Sequence, residues 1–205
     1  SKCYAYFTTI FRTKTMILPI RAYGDPVLRK KCKDITPDYP ELKTLIDNMF
    51  ETMYDAHGIG LAAPQIGLDI RLFVIDIRPL AEDEDYFDIA DKLKDFKKVF
   101  INARILEESG KEWKFNEGCL SIPDVREDVS RKETILIEYL DENFVKHTET
   151  FSDMRARVIQ HEYDHIEGIL FTDKLSVLKK KIIKGKLNKI SEGNVNVGYK
   201  MRFPK

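Results

Sequence analysis

Residues 161–165 read HEYDH, and two histidines at this spacing constrain the chain more tightly than any other feature of it. On a helix, side chains at i and i+4 stand one above the other, so His161 and His165 can approach one metal ion, with Glu162 at the shoulder of the same face. Ser152 or Asp153 can cap such a helix, which then runs to about Glu167 and stops at Gly168, a residue that tolerates a left-handed exit. Met154, Val158, His161 and His165 fall on one stripe, apolar at one end and ligand-like at the other. Two ordinary core or surface histidines would not require that stripe, and a site at the end of a pocket fits it better.

The rest of the chain must form the walls of that pocket. Its 205 residues suffice for one core of ordinary size. With Lys+Arg 34 against Asp+Glu 34, the chain is not expected to hold nucleic acid or membrane by bulk electrostatics, and no apolar run approaches the roughly 20 residues of a membrane span. Three cysteines, Cys3, Cys32 and Cys119, are an odd number without framework spacing, which favours a reducing compartment. Leu42, Leu45, Ile46, Met49, Phe50 and Met53 recur at helical spacing over Pro40–Asp55. Strands are expected at Ile70–Ile77, Val99–Leu106, Lys111–Phe115, Thr134–Leu140 and Phe144–Thr150, separated by turn-like SG and DEN sequences. A further helix is expected from Ser176 to Ile190. The class is therefore α+β, with antiparallel strands in the middle and helices towards both ends. Residues 16–190 form the expected domain and 191–205 a tail. Residues 1–15 are basic, aromatic and free of acids, whereas Met16–Ile20 reads like a natural start, so the first fifteen are expected to lie outside the fold; a transit peptide is the alternative. The acidic stretch Ala81–Asp95 reads as a solvated loop or short surface helix.

A metal held by His161 and His165 needs a third protein ligand. A metzincin would place a histidine where this chain has Phe171, and a thermolysin-like enzyme would place a glutamate on the next helix, yet Lys174–Ser191 contains no carboxylate. The remaining candidate is Cys119, within EGCLS (117–121); a lone cysteine is more often a buried structural thiol.

EGCLS, HEYDH and the Gly-rich GIGLAAPQ (58–65) occur in one chain in the order loop, cysteine, helix, and together with GDPVLR (24–29) and QHEYDHIEG (160–168) they resemble the signature segments of the peptide deformylase family over roughly Met16–Ser176. The resemblance implies antiparallel sheets around a central helix carrying the metal motif, and a mononuclear metal amidase that removes the formyl group from the initiator methionine of new polypeptides. Carried onto this sequence, the ligands are Cys119, His161 and His165, with Fe(II) the usual metal and Zn, Ni or Co also suited to one sulfur and two nitrogens. Gln65 and the backbone N–H of Leu120 become the oxyanion donors, and Ile59, Gly60 and Gly118 the backbone partners of an extended peptide.

Independently of any family, a metal with three protein ligands can keep a water acidified towards neutrality, yielding hydroxide that attacks a formyl carbon. Glu162 cannot easily reach the ion that its neighbour His161 holds, which leaves it as the general base and acid. Met154 and Val158 are candidates to line a methionine pocket or are plain core residues; Arg155 and Arg157 put that apolar wall in question. Two other readings stand beside the amidase, a metalloprotease and a noncatalytic structural-zinc protein. The second lacks an obvious fourth ligand, since His57 and His147 have no ligand-like pairing. Lysines 179, 180, 181, 184, 186 and 189 usually mark a solvated face, and contact with ribosomal RNA is the functional alternative. A bacterial cytoplasm is the expected location, ahead of an organelle of bacterial origin.

Overall fold

The computed structural model describes residues 15–204, so the expectation for residues 1–14 lies outside them. The chain runs β1 (Ile20–Arg21), α1 (Leu42–Asp55), β2 (Gly60–Ala62), β3 (Leu72–Asp76), α2 (Ala90–Leu93), β4 (Lys97–Cys119), β5 (Ile122–Leu140), β6 (Lys146–Ser152), α3 (Asp153–Ile166), α4 (Val177–Ser191) and β7 (Met201–Arg202), with short 3-10 turns between. Strands β2-β3-β4-β5-β6 form one antiparallel sheet in that order, and β1 pairs with β7 in parallel.

Every residue of β3 is buried, which requires a layer on each face of the sheet. The period of two divides the strand accordingly. Leu72 and Val74 point to a core shared with Ile46, Met49 and Met53 of α1, whereas Phe73 and Ile75 point to a core shared with Val158, Ile159 and Ile166 of α3. The sheet is thus held between α1 and α3. A third cluster joins Ile183, Leu187 and Ile190 of α4 to Ile122, Val125 and Val129 of β5.

Three expectations are corrected. The segments 99–106 and 111–115 belong to one strand, β4, because Ser109–Gly110 is a bulge and not a turn: Gly110 takes φ +79° and the pairing with β5 shifts register between Ser109 and Glu112. The DEN segment does turn the chain, with the Asp141 carboxylate accepting from the Asn143 and Val145 N–H groups, but β6 starts at Lys146 and continues to Ser152. The stretch expected to be a tail instead returns to the body. Ile20 N–H donates to the Lys200 carbonyl and Ala22 N–H to that of Arg202, both at 2.9 Å, while Val195, Met201 and Phe203 pack on the third cluster. Three apolar residues separated by polar ones carried no periodic signal of that docking. The acidic stretch forms 3-10 turns and α2 on the surface. Among the described residues no helix is long and apolar enough to cross a membrane.

Candidate metal centre and cleft

Helix α3 is the first of three elements that meet at one cleft of about 600 Å³. Its start is capped by Asp153, whose carboxylate accepts the Arg155 N–H at 3.1 Å, while the Ser152 side chain caps nothing. The second element is the tip of the β4–β5 hairpin, where Cys119 pairs with Ile122 and leaves Leu120 and Ser121 as a two-residue turn. The third is the segment from β2 into the 3-10 turn Ala63–Ile66, which presents Gln65. Ile59, Gly60, Gln65, Gly118, Cys119, Leu120, Met154, Val158, His161 and Glu162 all line the cleft; His165 is buried behind them.

Ligand atoms of Cys119, His161 and His165 lie within 4.8 Å of one another, and the Cys119 Sγ is 3.3 Å from His165 Nε2. Glu117 accepts from His161 Nδ1 at 3.0 Å, which fixes the proton on that nitrogen and leaves Nε2 free to face the thiol. Burial alone would lower the affinity of His161 for a proton, yet its hydrogen bonds to Cys119 and Glu117 raise it well above the ordinary histidine range. For His165, burial and then the neighbouring His161 push the other way, well below the ordinary value, so its imidazole is kept neutral and its lone pair stays available. One soft sulfur and two imidazole nitrogens brought together at this spacing fit a divalent transition metal.

Glu162 is buried beside this group, one of its carboxylate oxygens has no hydrogen-bond partner, and burial pushes its pKa up to about 7. A carboxyl group with that value can accept and return a proton near neutral pH. The backbone of β2 runs directly against it. A Cβ at position 60 would collide with the Glu162 side chain, so glycine there is a condition of the close approach. Gln65 is oriented at both ends of its amide: Oε1 accepts from the Ala62 N–H at 2.9 Å, and Nε2 donates to Ser121 Oγ at 3.3 Å and to Cys119 Sγ at 3.5 Å.

The family described as polypeptide deformylase matches residues 17–181. The chain belongs to this family. A peptide deformylase of Christiangramia forsetii is 67% identical over 191 residues, covering 92% of this chain and 97% of that protein, and one of Flavobacterium johnsoniae is 64% identical over 189 residues, covering 92% and 96%. Among solved structures, the Legionella pneumophila peptide deformylase is similar with TM-score 0.73 at 39% identity, covering 87% of this chain and 98% of that one. The chain is thus an enzyme of deformylase type.

For a deformylase, the informative residues are those that hold the Glu117 carboxylate beside His161, a role the motifs do not announce. Arg131 donates to both Glu117 oxygens at 2.7 and 3.0 Å and to Asp164 at 2.7 Å. Arg157 donates to Glu117 at 2.9 Å and to the Val129 and Trp113 carbonyls, and its guanidinium lies 4.2 Å over the Trp113 ring. Glu117, Arg131 and Arg157 are only 4%, 5% and 2% exposed, so the carboxylate behind His161 is locked by two buried cations. Burial would raise Glu117, but His161 and Arg131 hold it ionised far below the usual carboxylate range. The adjacency of Glu117 to Cys119 and the acid inside HEYDH were the available signals; nothing local pointed to Arg131. Arg157 also lines the cleft, so the wall that holds Met154 and Val158 is not wholly apolar, whereas Arg155 turns back to Asp153. Tyr199, from the supposed tail, lines the cleft as well and donates to the Leu120 carbonyl at 2.7 Å.

Proposed function

We propose that the chain hydrolyses the N-formyl group of formylmethionyl nascent polypeptides, releasing formate and the free amine. The observation that carries this reading is the convergence of Cys119, His161 and His165 beside the buried, half-unpartnered Glu162 carboxylate at the cleft. Cys119, His161 and His165 would hold one divalent ion, Fe(II) in the cell, with Zn, Ni or Co as alternatives of the same donor preference. When bound, such an ion supplies Lewis-acid polarisation and brings the ionisation of water into the neutral range.

The chain's own groups do the rest. Glu162 takes the proton of the water that adds to the formyl carbon and hands it to the leaving nitrogen as the C–N bond breaks. The Gln65 amide and the Leu120 N–H are the donors for the developing oxyanion; Gln65 Oε1 is held by the Ala62 N–H, and one Nε2 hydrogen turns from Ser121 or Cys119 to the substrate oxygen. The backbone of Ile59, Gly60 and Gly118 would pair with the substrate as an added strand. Met154 and Val158 would contact the methionine side chain. Charge on α4 supports a contact with ribosomal RNA, because its lysines flank Val177, Leu178 and Ile182, which are 71%, 68% and 68% exposed. Ribosome cosedimentation unchanged after neutralising those lysines would sink that contact. Bacterial relatives support a bacterial cytoplasmic setting.

The test is formate release from a formyl-Met peptide beside its acetyl counterpart by protein prepared anaerobically with Fe(II). Formate is expected from the first alone. Glu162→Gln is expected to abolish turnover with metal content retained; a fully active variant would remove Glu162 from the reaction.

A further inference from the structure

The Leu120–Ser121 turn is gripped by three segments remote from one another in sequence. The Tyr23 N–H donates to the Ser121 carbonyl at 2.8 Å, the Gln65 amide donates to the Ser121 hydroxyl at 3.3 Å, and the Tyr199 hydroxyl donates to the Leu120 carbonyl at 2.7 Å. Tyr23 and Tyr199 arrive as a unit, because β1 and β7 pair with Ile20 opposite Met201 and Arg21 opposite Arg202. The carbonyl that Tyr199 holds belongs to the peptide between the two central residues of the turn. Rotation of that peptide is what converts one turn type into another, so its direction sets the conformation of the loop that carries the Cys119 thiol and the Leu120 N–H. Burial pushes the Tyr199 hydroxyl above its ordinary value and keeps it a donor throughout the neutral range.

We propose that Tyr199 is a positioning residue for the reaction: through the Leu120 carbonyl it fixes the turn so that the Leu120 N–H is aimed at the developing oxyanion. This rests on the role given to that N–H above. Tyr199 lies outside residues 17–181, the part of the chain that matches the family, and with Asn196, Val197 and Gly198 it builds one wall of the cleft. The C-terminal segment is therefore a component of the active site. The hydroxyl acts on a donor needed only in the transition state, so its loss lowers kcat and leaves KM nearly unmoved.

Tyr199→Phe removes the hydroxyl and keeps the ring. In the Fe(II)-loaded enzyme acting on a formyl-Met tripeptide, kcat falls roughly tenfold with KM within about twofold, since small misplacement of a preorganised group costs one to two orders of magnitude. Metal content stays that of the wild type, and exchange of the Leu120 amide hydrogen accelerates. A side chain that only supported the fold would lower the melting temperature and leave kcat per folded site unchanged. Unchanged kcat, or a fall in kcat matched by loss of metal, overturns the proposal. If the wild-type enzyme releases no formate, the function assigned above fails instead; Leu120 exchange in the two proteins then still decides, and equal rates overturn the clamp.

Discussion

At its base the β4–β5 hairpin buries Phe100 between Phe73 and Tyr139, with ring centroids 4.7 and 4.4 Å away, whereas at its tip it buries Glu117 between Arg131 and Arg157. The base draws its stability from apolar area removed from water, which is insensitive to small shifts of one ring against another. The tip gains less. Two guanidinium groups and a carboxylate lose hydration on burial, and their attraction offsets that loss only while every partner is in place. What the tip obtains is direction: Glu117 can meet Arg131, Arg157 and His161 together in one geometry, and that geometry aims the His161 ring. One hairpin thus combines a tolerant end that stabilises and an exacting end that orients.

Removing Arg131 is the strongest way to break this contrast. Arg131→Leu leaves Glu117 and Asp164 buried without their shared cation, and about 3–5 kcal/mol of stability should be lost, read from chemical denaturation. Activity per folded molecule and metal affinity should fall with it, because Glu117 is then free to turn from His161. A variant of near wild-type stability would mean that the tip relaxes as readily as an apolar core. Ile137→Val, at the base, is the counterpart. Ile137 is fully buried between the sheet and α3, and losing one methylene should cost about 0.5–1.5 kcal/mol while kcat stays at the wild-type value. A drop in kcat there would show that the base also sets the site, and would erase the distinction.

The same contrast governs what was legible in the sequence. The apolar stripes of α1 and α3 and the β-branched run of β3 announce themselves, because burying one face imposes a period that any sequence must keep. His161, Glu162 and His165 were legible from their spacing on one helix face, whereas Cys119, Gln65, Leu120 and the backbone of Ile59, Gly60 and Gly118 were assigned through the family resemblance. Glu117, Arg131, Arg157 and Asp164 form a cluster that no local pattern encodes. Each is a charge that an isolated segment would leave in water, and only the register of β4 on β5 brings Arg131 against Glu117. Ser109–Gly110 was misread because bulges and turns use the same residue types for the same reason, a backbone that must take positive φ. The C-terminal segment was missed because two-residue strands such as β1 and β7 leave no period to detect.

The base holds one buried carboxylate of its own, and it offers the mildest test of the comparison. Asp76, at the end of β3, accepts from the Tyr54 hydroxyl at 2.6 Å and from the Arg78 guanidinium at 2.7 and 2.9 Å. Burial would raise its pKa, but Arg78 and Tyr54 hold it below the usual carboxylate range, so its contribution is present above about pH 4, the unfolded value, and is lost as pH falls through the depressed folded value. Tyr54 behaves in the opposite sense. Burial and the Asp76 carboxylate push it up to about 12, so its contribution is complete below about pH 10 and is lost as pH rises through the folded value. The stability difference between wild type and Tyr54→Phe should therefore be flat between about pH 5 and 9 and shrink on both sides. Because Tyr54 and Arg78 are 37% and 48% exposed, solvent should hold that difference below about 1 kcal/mol. Because phenylalanine keeps the ring, equal stability of the two proteins between about pH 5 and 9 would mean that the ring and not the hydroxyl carries the contribution of Tyr54. The base would then be apolar in its energetics even where it is charged, and the division between the two ends would be sharper than the hydrogen bonds imply.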